Sequence, residues 1–86
     1  MPIVSVFFGI VIRLFHGDHN PPHFHARYGE YEAVIELNSG KILGGRLPPR
    51  CRKLIEEWRK QHISELNLAW NAAASFKTPK KIKGLE

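Results

Sequence analysis

Four of the five histidines of this 86-residue chain fall within one stretch, His16-Gly17-Asp18-His19-Asn20-Pro21-Pro22-His23-Phe24-His25. Imidazole changes charge near neutral pH, its ordinary pKa being about 6.5, and its neutral ring is a common metal ligand. His23 and His25 are one strand period apart. On a strand they point to the same face, roughly 6–7 Å from each other at ~3.3 Å per residue. That spacing supports two chemistries. With a carboxylate, the pair can hold a divalent metal and leave positions open for water. Glu36 is the candidate carboxylate from the facing strand, and His19 or Asp18 could supply another ligand from the loop. Without a metal, His19, His23 and His25 can act as general acid and base, with Arg27 or Arg13 set against charge developing on a phosphate. The plainer reading is structural: His23 with Glu36, and Arg27 with Glu32, as cross-strand charge pairs on a solvated sheet face.

These side chains need a scaffold. Ile3 to Phe8 and Ile10 to His16 are rich in Val, Ile and Phe and predict two strands about a turn at Gly9. Gly17 to Pro22 is a connecting loop, because its prolines cannot donate to a ladder. His23 to Tyr28 and Tyr31 to Leu37 predict a hairpin closed by Gly29-Glu30, a pair that suits a type II′ turn. That turn sets Tyr28 opposite Tyr31, His25 opposite Val34 and His23 opposite Glu36. Phe24, Ala26, Ala33, Ile35 and Leu37 then share one face, and the histidines the other. A slip of one residue would bury the histidines, so the apolar pattern defends the register. Lys41 to Gly44 predicts a short fifth strand.

Leu47-Pro48-Pro49 opens the helical half, since proline is tolerated in a first turn. Cys51, Leu54, Ile55, Trp58 and His62 form one stripe at helical spacing. Lys53 with Glu57 and Glu56 with Lys60 stand four apart on the solvent side. A second helix is predicted from about Ser64, as N-cap, to Ser75, with Leu66, Trp70 and Ala73 facing the core. The expectation is an α+β domain: a mainly antiparallel five-stranded meander with two C-terminal helices packed on one face. Residues 1–76 form that single domain. Residues 77–86 form a basic, flexible tail in which Ile82 and Leu85 could still dock.

Composition narrows the function classes. Hydrophobic residues make up 43% and charged residues 24%, ordinary values for a globular protein. One cysteine, Cys51, excludes an internal disulfide framework and a cysteine-rich zinc site. The apolar start is too short to span a bilayer and lacks the pattern of a signal peptide, so the expected location is the cytoplasm and no membrane partner is expected. The net charge is +5, which favours acidic partners, nucleic acid among them. Lys77, Lys80, Lys81 and Lys83, against Glu86, carry most of it. Setting those four lysines and one glutamate aside leaves +2. A basic nucleic-acid-binding module is therefore one expectation, although no helix-turn-helix, zinc finger or RNP motif is present.

The string His19-Asn20-Pro21-Pro22-His23-Phe24-His25-Ala26, followed by Tyr28-Gly29-Glu30-Tyr31, resembles a small bacterial family known as domain of unknown function 4160. Gly9-Ile10-Val11-Ile12-Arg13, Leu47-Pro48, Trp58 and Trp70 extend the resemblance over nearly the whole chain. The chain departs from the family pattern at Val6, where a basic residue is frequent, and in its lower acidic content after His62. The resemblance implies a cytoplasmic protein encoded beside a second small protein, in an arrangement similar to toxin–antitoxin pairs. It implies no activity. The expected function is one component of such a two-protein module, acting through protein–protein binding. The alternative is a histidine-dependent ribonuclease or phosphodiesterase, metal-free or metal-assisted.

Overall fold

A computed structural model describes residues 2–86 of the chain. Five strands come first: β1 (Ile3–Phe7), β2 (Ile10–Arg13), β3 (His23–Tyr28), β4 (Tyr31–Glu36) and β5 (Ile42–Arg46). Two helices follow, α1 (Pro49–Gln61) and α2 (Ile63–Ala74). The sheet is an antiparallel meander in the order β1-β2-β3-β4-β5. This is the expected α+β architecture.

The central hairpin has the expected register throughout, from Tyr28 opposite Tyr31 to His23 opposite Glu36. Gly29 has φ +58°, as the first central residue of a type II′ turn requires. The face bearing Phe24, Ala26, Ala33, Ile35 and Leu37 is buried under the helices, which add Cys51, Ile55, Trp58, Leu66, Ala69, Trp70 and Ala73 to the core. Tyr28 and Tyr31 lie half-exposed at the rim. The Arg46 guanidinium sits 5.7 Å from the Tyr31 ring centre, a cation–π distance.

Several features differ from the expected elements, among them β5, which begins at Ile42 and runs two residues past Gly44 to Arg46. β2 stops at Arg13, short of the expected His16, and one further bond follows it, from the Leu14 N–H to the Pro2 carbonyl at 3.1 Å. α2 begins at Ile63, and Ser64 is not its cap. His62 (φ −125°, ψ 27°) closes α1 through its N–H to the carbonyls of Trp58 and Arg59, and opens α2 through its carbonyl to the Leu66 N–H. One residue thus serves as boundary to both helices, and α2 starts without a side-chain cap. Finally, Arg59, one of the basic residues counted toward nucleic-acid binding, is buried on α1. Its Nε and Nη2 donate to the two carboxylate oxygens of Glu56 at 2.8 and 2.6 Å, and its Nη1 donates to the carbonyls of Leu37 and Asn38 at 3.0 and 3.2 Å. This bidentate pair takes the carboxylate that spacing alone assigns to Lys60, whose Nζ stands 4.0 Å away.

The segment read as a tail is packed in the structure, with Ile82 and Leu85 docked. Pro79, Ile82 and Leu85 are buried at intervals of three, while Lys77, Lys80, Lys81 and Lys83 face outward. The Ile82 N–H donates to the Val4 carbonyl at 2.7 Å, so the segment lies along the outer edge of β1. The apolar side chains supply the reason, because two more buried residues enlarge the small core of a chain this size. No helix among the described residues is long and apolar enough to cross a membrane.

Candidate functional site

The loop from Leu14 to Pro22 is tied down at three points. Leu14 bonds back to Pro2, the Gly17 N–H donates to the Ala73 carbonyl at 2.9 Å, and the Pro22 carbonyl accepts from the Leu37 N–H at 2.9 Å. Gly17 has φ +67°, and a Cβ there would run into the Phe76 ring. The positive φ favours glycine here, and a larger residue would also displace the exposed Phe76 ring. The loop is thereby pinned to the last turn of α2, and Asp18, the next residue, is delivered to the start of β3. The Asn20–Pro21 peptide bond is cis.

Asp18, His23 and His25 converge. Each offers one ligand atom, and the three atoms lie within 4.8 Å of one another. His23 Nε2 is 2.7 Å from Asp18 Oδ2, and His25 Nε2 is 3.8 Å from the same oxygen. Around a single metal at bonds of about 2.1 Å, ligand atoms stand roughly 3.0–3.4 Å apart, between those two values. All three side chains are mostly buried, at 24%, 13% and 17% exposure respectively, so the cluster is partly shielded from solvent.

Hydrogen bonding fixes the His23 ring. Its Nδ1 is 2.7 Å from the Pro21 carbonyl. A carbonyl only accepts, so Nδ1 carries the hydrogen. In the neutral ring the Nε2 lone pair then faces the Asp18 carboxylate. Two lone pairs at that distance repel unless a cation, proton or metal, lies between them. A histidine that donates one N–H to a backbone carbonyl and turns the other nitrogen inward has the usual arrangement of a metal ligand. His25 Nε2 is buried and makes no hydrogen bond. Such an orphan is costly unless something binds it.

The surroundings set the charges. Burial pushes the His25 imidazole below its ordinary range and the neighbouring His23 adds to this; Asp18 and Glu32 oppose more weakly. His25 is thereby favoured as the neutral ring that ligation requires. For Asp18, burial pulls the carboxyl upward, but the His19 N–H and the facing His23 outweigh it and leave the group below the usual range. Two aromatic walls close the site. Phe15 stands edge-on to His25 at 4.1 Å between ring centres, and Trp70 of α2 lies 5.2 Å from His23.

The other candidates stand outside the three-residue cluster. The His19 ring is exposed, and its contribution is a backbone N–H to Asp18 Oδ1 at 3.0 Å. Arg27 is exposed and turns its Nε to the Gly29 carbonyl at 3.2 Å, toward the hairpin turn. Glu36 faces His23 in register, but its carboxylate accepts from the Ser39 hydroxyl and is not part of the cluster. Arg13 is the cross-strand neighbour of His25. The walls, Phe15 and Trp70, are the site residues that sequence reasoning passed over. Phe15 shares the parity of Arg13, and the pairing of Arg13 with His25 is the signal that places it beside that ring.

No curated protein and no solved structure matches the chain. One family model does, over residues 9–71, a span that contains Asp18, His23, His25, Trp58 and Trp70. It covers well over half the chain, which therefore belongs to the family described as Domain of unknown function (DUF4160).

Proposed function

We propose that this chain carries a reactive divalent-metal centre held by Asp18, His23 and His25, and that its chemistry is metal-assisted hydrolysis. The observation that carries the reading is His25 Nε2, buried without a partner and aimed at a carboxylate whose other neighbour is a ring nitrogen. Two histidines and one carboxylate suit a divalent first-row metal and leave further positions free. A metal so held makes bound water a nucleophile near neutral pH. The protein's own contributions are distinct. The Pro21 carbonyl sets the His23 tautomer, the His19 N–H orients Asp18, and Phe15 and Trp70 shield the ligands from bulk water. The basic charge of the chain, with Arg13 beside His25, favours an anionic substrate, and a phosphodiester is the class proposed. Within a two-protein module, such a centre belongs to the member that does the chemistry.

The test is metal content of the purified full chain by inductively coupled plasma mass spectrometry, after loading with zinc, manganese or cobalt and desalting. Near-stoichiometric metal in the wild type, lost in His23→Ala/His25→Ala and kept in Glu36→Gln, supports the reading. No uptake by a folded wild type overturns it.

A further inference from the structure

Between α2 and the C-terminal segment lies a second feature, separate from the proposed metal centre. Leu68 projects from the helix with 71% of its surface exposed. Residues 77–82 run past it, and helix and segment enclose an open groove of about 430 Å3. Leu68, Ala72 and Ile82 contribute its apolar lining, and Lys77, Lys80 and Lys81 its charged one.

The walls are held in place without a ligand. The Lys77 N–H donates to the Ala72 carbonyl at 2.8 Å, the Ile82 N–H to Val4, and the Trp58 indole N–H to the Lys83 carbonyl at 2.9 Å. A preformed groove spares a binding partner part of the ordering cost. The charge is unanswered. Among the described residues, Lys77, Lys80 and Lys81 have no carboxylate within ion-pair distance, whereas Lys83 has Glu86. Glu65 also lines the groove, but its carboxylate is engaged by His62 Nδ1 at 2.6 Å.

We infer that this groove docks an acidic amphipathic helix of another protein, its apolar side chains on Leu68 and Ala72 and its carboxylates on Lys77, Lys80 and Lys81. The recognition mode is helix-in-groove. Charge complementarity selects that occupant. A second copy of this chain would bring lysines against lysines across a two-fold axis. Single-stranded nucleic acid would find lysines but no aromatic platform in the groove for its bases.

The experiment uses the full chain and a labelled synthetic peptide with leucines at helical anchor spacing and glutamates elsewhere, read by fluorescence anisotropy. Saturable binding that weakens with salt is expected, with no binding of the counterpart carrying lysine for glutamate. Leu68→Glu and Lys80→Glu/Lys81→Glu each weaken it by about tenfold or more. All three positions are exposed, so circular dichroism should match the wild type. Absence of saturable binding overturns the inference, as does equal binding of the lysine peptide or indifference to Leu68→Glu. Binding to phosphatidylserine vesicles or polyuridylate that the acidic peptide fails to displace overturns it as well. None of these readouts depends on metal.

Discussion

The indole N–H of Trp58 donates to the backbone carbonyl of Lys83 at 2.9 Å, so a fully buried side chain of α1 and the C-terminal segment hold each other in place. Trp58 also packs against Phe7 at 5.2 Å and Phe24 at 5.9 Å between ring centres. The segment is therefore bound to the same aromatic cluster that joins helix to sheet.

Loss of that anchorage should be costly. Ile82 is 5% exposed, and truncating such a residue to alanine costs about 2–5 kcal/mol. Ile82→Ala should lower the urea midpoint of unfolding accordingly, while Lys81→Ala beside it changes stability by less than about 0.5 kcal/mol. Equal, small effects of both variants would mean that the segment does not belong to the folded core.

The proposed metal ligands and their geometric neighbours should separate cleanly. Asp18→Asn and His25→Ala should each weaken cobalt binding, followed by its visible absorption, by more than the ~10–100-fold that loss of an outer-shell partner alone costs. Glu36→Gln and Arg27→Ala should leave it within about twofold, a change under 0.5 kcal/mol. A loss of cobalt in Glu36→Gln comparable to that in Asp18→Asn would assign the carboxylate to the facing strand instead of the loop.

That contrast also shows how far the sequence could be read. The hairpin register followed from a two-residue turn and alternating apolar residues, both local properties, and with it came the shared face of His23 and His25. Which carboxylate would stand nearest them did not follow, since Glu36 and Asp18 were both open. Register sets Glu36 opposite His23, yet Ser39 in the next turn takes its carboxylate. Asp18 arrives because Gly17 is tied to Ala73 at the other end of the chain, a contact without a local signature. The burial of Arg59 escaped for a related reason, because the Leu37 and Asn38 carbonyls that justify burying a guanidinium come from a distant strand end.

The Glu56–Arg59 pair should shape the acid limb of stability. The hydrogen bonds from Arg59 hold the Glu56 carboxyl below its ordinary range, although burial opposes them. A carboxyl lowered in the fold contributes stability above its unfolded pKa, about 4.3, and that contribution is lost as pH falls through the folded value. Glu56→Gln should thus be less stable than wild type at neutral pH, and the difference should shrink in urea titrations carried below about pH 4. A difference independent of pH would remove the ion pair as its source.

The turn between β1 and β2 is open to improvement. Phe8 and Gly9 both have positive φ, +51° and +79°, which defines a type I′ turn whose preferred pair is Asn-Gly. Phe8 is 60% exposed, so little burial is lost on replacing it. Phe8→Asn should raise stability by about 1 kcal/mol by relieving a left-handed residue with a bulky side chain. A fall in the thermal midpoint would show that the exposed ring stabilises the turn more than its backbone conformation costs.

The C-terminal segment lies along β1, with Ile82 bonded to Val4 and Gly84 close to the Val6 carbonyl. One margin of the sheet is therefore occupied by the chain's own end, while β5 keeps its outer backbone groups available. Any strand-by-strand association of this protein is limited in number by that asymmetry. Two copies joined through β5 would each spend their one free margin and present a covered one on either side. The cover that completes the fold therefore blunts one of the two margins from which edge-to-edge association could grow.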